Sequence, residues 1–164
     1  MIAGDGVRVS TWVAVPPRRA FDLFTGDIAR WWRPGPRFRV AGERDGALRF
    51  EGGPGGRLLQ DLDDGSPPFV VGDVRAWEPG ARLLLSWRLG NFAPGEATEV
   101  EVHFTPSGQG TRVTLEHRGF AALPPGHPVR HGQDARAFVD RLGRWWGELL
   151  TALRERTEAL RGAG

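Results

Sequence analysis

Between Gly72 and Gly119 the chain reads as strands cut by turns, and this run limits its possible folds more than any other feature. Gly72-Asp73-Val74 leads to Glu78-Pro79, then to Leu83-Leu84-Leu85-Ser86-Trp87, then to 98–104, then to the run from Gly110 to Gly119. Val100, Val102 and Phe104 share a face against Glu99, Glu101 and His103, and Val113, Leu115 and His117 share another. A period of two carried by β-branched residues marks half-buried strands. The full set of candidate strands in this middle region is 38–41, 47–50, 57–62, 69–77, 82–89, 99–104 and 111–117. Asp45-Gly46, Gly52 to Gly56, Asp64-Gly65, Pro79-Gly80 and Ser107-Gly108 supply the turns between them. Together these form an antiparallel meander.

The two ends are different. Residues 7–15 alternate as a further strand, with Val7, Val9, Thr11, Val13 and Val15 on one side. Pro16-Pro17 stops that strand, and Ala20, Phe21, Leu23 and Phe24 then recur at helical spacing up to Gly26. Asp27 can cap a second short helix carrying Ile28, Trp31 and Trp32, which Pro34 ends. From about His131 to about Leu160 the period changes to that of one long helix. Phe138, Leu142, Trp145, Leu149 and Leu153 form its apolar stripe, widened by Trp146 and Leu150. Such a helix needs a large apolar surface to lie on, and the sheet is the one available. The expected fold is α+β: a curved antiparallel sheet of six to seven strands wrapped around a long C-terminal helix, with two short helices after the first strand. No repeat or linker divides the sequence, so 1–164 reads as one domain with its core at about 7–160.

Composition removes several function classes. All 22 basic residues are Arg, and Lys, Cys and Tyr are absent, so the high isoelectric point of 10.7 comes with a formal charge of only +2. A balanced surface of this kind does not predict nucleic-acid binding. Disulfides and thiolate chemistry are excluded by the absence of Cys. The first residues show no basic region followed by an apolar core, and no apolar run is long enough to span a membrane. A soluble cytoplasmic protein is the expectation. The all-Arg usage with abundant Gly, Ala and Pro points to a GC-rich genome.

The order of these segments resembles the SRPBCC superfamily, the START-like helix-grip fold. More narrowly, it is similar to homologues of the activator of heat-shock protein 90 ATPase. The matching features are Pro16-Pro17-Arg18-Arg19-Ala20-Phe21, the Trp31-Trp32 pair before Pro34, the turn from Gly52 to Arg57, Gly72-x-Val74 with Glu78-Pro79, and Trp87. They continue with Gly110-Thr111-Arg112-Val113-Thr114-Leu115 running into Glu116-His117-x-Gly119, and with Gly143 and Trp145-Trp146 in the last helix. The resemblance implies a cavity between sheet and terminal helix. Across the superfamily that cavity serves lipid carriers, hormone receptors, polyketide cyclases and co-chaperone domains, so the fold alone does not name a ligand.

Seven Trp and nine Phe read either as core or as pocket wall. Trp145, on the stripe, reads as core; Trp32 and Trp87 fall where the family's cavity mouth and inner wall would lie. His117 is in phase with Val113 and Leu115 and is the one titratable residue to single out, as a hydrogen-bonded structural group or as a weak candidate acid/base. The residues expected to face a ligand are Trp32, Phe50, Asp61, Trp87 and His117 from the sheet side. Phe120, Phe138, Leu142 and Trp146 complete the set. Asp61 enters because it is in phase with Leu59. His127 and His131 lie in a proline-stiffened loop that reads as solvated and able to cover the cavity; lacking a tight ligand pair, these histidines do not form a zinc motif. No cofactor is called for. Gly143 and Gly147 would permit close approach of another element, a second copy of the chain included, though a glycine-rich composition accounts for them equally well. The glycine run at 52–56 lacks the Lys-Ser/Thr of a phosphate loop, and no Ser-His-Asp order or paired-carboxylate signature appears. Binding of a small hydrophobic or aromatic ligand is therefore the first expectation. A polyketide cyclase or dehydratase-like enzyme using His117 with Asp61 or Glu116, and a co-chaperone-like interaction module, are the alternatives.

Overall fold

The computed structural model describes residues 5–163, so part of the leader reading falls outside it. Strand β1 (Val7–Val13) leads through Pro16 into helices α1 (Pro17–Gly26) and α2 (Ile28–Trp31). Strands β2 (Gly46–Phe50), β3 (Arg57–Leu62), β4 (Phe69–Glu78), β5 (Arg82–Trp87), β6 (Thr98–Ser107) and β7 (Gly110–Arg118) follow, and α3 (Ala135–Gly162) comes last. Among the described residues the seven strands form one antiparallel sheet in the order β1-β7-β6-β5-β4-β3-β2.

Local chemistry explains the order. From β2 to β7 each strand pairs with the next, because short turns rich in Gly let the chain double back. β1 cannot join that meander in sequence, so it closes the far side by pairing with β7, with Val9 opposite Leu115 and Thr11 opposite Val113. Register shifts at Leu58/Leu59 and at Val74/Ala76 break the ladder and bend the sheet. The concave face carries Val100, Val102, Phe104, Val113 and Leu115, all buried. Helix α3 lies against β1 and touches α1 and α2. It buries Trp146, Leu149, Leu150 and Leu153 almost completely, each contributing about 2 kcal/mol through lost apolar surface.

Three expectations need correction. Residues 38–41 are not a strand. Pro36–Phe38 form a 3-10 turn, and beyond it the Gly90 N–H to Val40 carbonyl bond (2.7 Å) is an isolated link. The long helix starts at Ala135, later than His131, because His131 and Gly132 take φ of 49° and 77°, which no helix accommodates. Asp134 then caps the helix by accepting the Ala137 N–H at 2.8 Å. Lastly, the core Trp of the helix is Trp146, while Trp145 is half-buried and donates its indole N–H to the Arg37 carbonyl. Gly143 and Gly147 are not required by close packing within the chain: an added Cβ would lie 3.8 Å from Val7 at the first and meet nothing within 4 Å at the second.

Candidate functional site

The space between the sheet and α3 is not filled. A cavity of about 360 Å³ is walled by Val40, Trp87, Leu89, Phe92, Phe120 and Phe138, and by Leu142 and Trp145 of α3. A second, of about 440 Å³, lies beside it, between Trp32, Phe38, Leu48 and Gln60. Both volumes fall in the range of small-molecule sites. The strap of residues 33–42, which joins α2 to the sheet region without regular secondary structure beyond one 3-10 turn, divides them. Arg39 and Val40 of the strap line both cavities.

Five Trp rings cluster around this division. Trp32 packs against Trp31, Trp87, Trp145 and Trp146 with centroids 5.6–6.1 Å apart. Trp87 packs edge-on against Trp146 at 5.3 Å. Four of the five indole N–H groups have an acceptor: the Phe24, Phe38 and Arg37 carbonyls and the His117 ring. Trp87, only 3% exposed, has none among the described residues.

His117 is buried in the wall of the first cavity, and its hydrogen bonds fix its tautomer. Trp146 can only donate, and its Nε1 lies 3.0 Å from His117 Nδ1, so Nδ1 is unprotonated. The proton is on Nε2, which donates to Thr98 Oγ1 at 2.7 Å; that hydroxyl donates in turn to the Trp87 carbonyl at 3.1 Å. One relay thus links α3 to β7, β6 and β5. Burial pushes the His117 imidazole down to about 3, because charging the ring would strip an ion of water with no carboxylate beside it.

A group depressed in the folded state but free in the unfolded chain stabilises the fold fully above about pH 6.5, and that stabilisation is lost as pH falls towards 3. Between pH 7.5 and 5.0 the wild type should therefore lose about 2 kcal/mol more than His117→Gln in urea unfolding. His103, His127 and His131 are common to both proteins and cancel in the difference. Equal losses would show that ring 117 is not held neutral by the fold.

Of the residues expected to face a ligand, Trp87, His117, Phe120, Phe138 and Leu142 all line the first cavity, and Trp32 lines the second. Trp146 lies behind them, packed on Trp87 and His117. Phe50 is elsewhere, edge-on to Trp77 at 5.9 Å. Asp61 is on the outer face in an ion pair with Arg49 at 2.8 Å. Its neighbours Leu58 and Gln60 face inward, into the core and the second cavity respectively. Asp61 does keep phase with Leu59, opposite Ala47 and Arg49 of β2, but the face they share is the outer one, and Leu59 is buried apart from the central core. Glu116 is also outside, between Arg8 and Arg118.

The loop after β7 is solvated only in part: His131 is exposed, while other side chains turn inward. His127, Val129 and Arg130 are buried. Arg130 donates to the Phe120 and Pro124 carbonyls, and His127 Nε2 meets Glu96 at 2.7 Å. The loop contributes Val129 and His131 to the cavity wall. Sequence reasoning missed the rim, formed by Arg37, Arg39, Asn91, His131 and Arg141. A signal existed in the density of Arg around the Pro34–Pro36 segment, but an Arg-only chain makes such density look ordinary. Among the described residues no group of three or more His, Cys, Asp or Glu could hold a metal ion, and no helix is long and apolar enough to cross a membrane.

A bent antiparallel sheet closed by a terminal helix around an aromatic hollow defines a protein of the helix-grip class. The chain belongs to the family described as Activator of Hsp90 ATPase homolog 1-like protein, whose model matches residues 14–155. Among solved structures it is similar to the anthrahydroquino-gamma-pyrone synthase Txn09, complexed with SUM. The two are 33% identical over 92% of this chain and 96% of that one, with a TM-score of 0.56. It shares its fold with CalC, a self-sacrificing resistance protein from Micromonospora echinospora (23% identity, 96% of each chain, TM-score 0.62). An Hsp90 activator from Plasmodium falciparum has the same fold (16% identity, 96% of each chain, TM-score 0.62). No curated protein matches by sequence.

Proposed function

We propose that this protein binds one small, flat, largely apolar ligand in the cavity between the sheet and α3. The observation that carries the reading is the aromatic lining of the 360 Å³ space, with Trp87, Phe92, Phe120 and Phe138 buried around it. A wall of rings offers face and edge contacts to another ring system, and a large apolar area to cover. Likeness to a synthase solved with a compound bound supports the same use of the fold.

That likeness also favours a second reading, an enzyme acting on such a ligand. In that case His117 is a poor acid/base, because both ring nitrogens are engaged and burial holds the ring neutral. The work would fall to rim groups such as Asn91 and His131. A protein-interaction role lacks a supporting patch: among the described residues Trp12, at 37%, is the exposed large apolar side chain.

The test is a titration with N-phenyl-1-naphthylamine, a neutral apolar fluorophore, alongside native mass spectrometry of the purified protein. Saturable binding of one probe per chain is expected. Leu142→Trp, which adds bulk on the cavity face of α3, should weaken it by about tenfold while circular dichroism stays unchanged. Absence of both probe binding and any co-purifying compound would refute the reading.

A further inference from the structure

Two features of the cavity select among flat apolar ligands. The first is its rim. Arg37, Arg39, His131 and Arg141 line it, and no Asp or Glu does. Arg37 is paired with Glu148 at 3.1 Å and Arg39 with Asp45 at 2.7 Å. Arg141, exposed on the first turns of α3, has no ion pair or hydrogen bond among the described residues. His131, on the same rim, takes the left-handed region at φ 49°, a conformation costly for a residue with a Cβ. The second feature is the deep wall, where the Trp87 indole N–H is buried and unpartnered while its four neighbours are all satisfied. A buried donor without an acceptor is a standing cost that an oxygen on a ligand removes.

We propose that the ligand is an aromatic acid. Its ring system lies between the sheet and α3, a ring oxygen accepts from Trp87 Nε1 at the inner end, and a carboxylate at the other end faces Arg141. This rests on the binding reading above. It goes further by fixing the charge of the ligand, the position of that charge, and the need for an inner acceptor. A guanidinium free of a carboxylate partner, on a rim that carries no acidic side chain, attracts a carboxylate both by charge and by paired hydrogen bonds. The opposite arrangement, a neutral hydrocarbon or a cation, leaves Trp87 unpaired or sets like charges together.

The experiment compares anthraquinone-2-carboxylate, anthraquinone-2-carboxamide and anthracene-2-carboxylate by quenching of Trp fluorescence and by calorimetry. The carboxylate should bind the wild type about fivefold tighter than the carboxamide, with the preference shrinking as salt is raised. Arg141→Gln should abolish that preference, by weakening the carboxylate more than the carboxamide. Trp87→Phe should weaken anthraquinone-2-carboxylate about tenfold more than anthracene-2-carboxylate, which lacks ring oxygens and loses only ring contact. If carboxylate and carboxamide bind equally, or the preference survives in Arg141→Gln, the assignment of charge is overturned while cavity binding stands. If both carboxylates respond alike to Trp87→Phe, the inner acceptor is wrong. If none of the three binds, the cavity reading itself fails.

Discussion

Trp146→Ala should lower the unfolding free energy by about 4 kcal/mol, whereas Trp145→Ala, one residue away, should lower it by about 1 kcal/mol. The side chain of Trp146 is 1% exposed and packs on Trp32, Trp87, Trp145 and His117. Its removal opens a hole that rigid strands cannot close, and it also takes away the donor to His117 Nδ1. Trp145 instead lies half-buried over Phe38 at the cavity edge, where water can take its place. Trp146→Phe separates the two contributions. It keeps most of the ring but orphans the His117 nitrogen, and should cost about 2 kcal/mol. Urea unfolding of the three variants measures all of this, and comparable losses for both alanine variants would contradict the assignment of Trp146 as the keystone of α3.

Gly72→Ala is the second large effect. An added Cβ would lie 1.7 Å from the Ser86 carbonyl oxygen and 2.6 Å from its carbon. Both are backbone atoms of the neighbouring strand, so β4 and β5 must separate. The separation also breaks the bond from the Asp73 N–H to Ser86 Oγ (2.9 Å). A cost of about 3 kcal/mol is expected. Gly26→Ala provides the contrast: its Cβ would meet nothing within 4 Å, and it replaces a glycine at the end of α1 by a better helix former. Thermal denaturation should show Gly72→Ala melting well below the wild type and Gly26→Ala at or slightly above it; coincident melting of Gly72→Ala and wild type would show that the strands can part freely.

Much of this architecture was legible in the residues because alternation and turn chemistry act locally. Val100, Val102 and Phe104 face inward because a strand has a period of two, whatever lies opposite. The failures all come from features that pairing or packing decides. Asp61 was assigned inward through its phase with Leu59, and the two do share a face, but it is the outer one, where packing buries Leu59 apart from the central core. Residues 38–41 have the composition of a strand, but a 3-10 turn at Pro36–Phe38 leads into them and they form only an isolated link to Gly90. Helical spacing placed both Trp145 and Trp146 near the apolar stripe. Only the position of Phe38 and the Arg37 carbonyl decides which of them turns outward. The candidate site divided in the same way. Its apolar wall, Trp87, Phe120, Phe138 and Leu142, followed from periodicity and resemblance, while its arginine rim comes from two separated segments, the strap and α3, that meet only in the folded chain.

The strap at 33–42 carries a consequence for which molecules can enter. Because Arg39 and Val40 form a party wall shared by two hollows of about 360 and 440 Å³, the reach from one to the other is set by this strap. A guest short enough for one chamber leaves the wall in place. One that fills both has to displace Val40 and give up the Gly90 N–H to Val40 carbonyl bond. Selectivity for length can therefore change by insertion or deletion in one irregular segment, with every strand and the terminal helix left untouched.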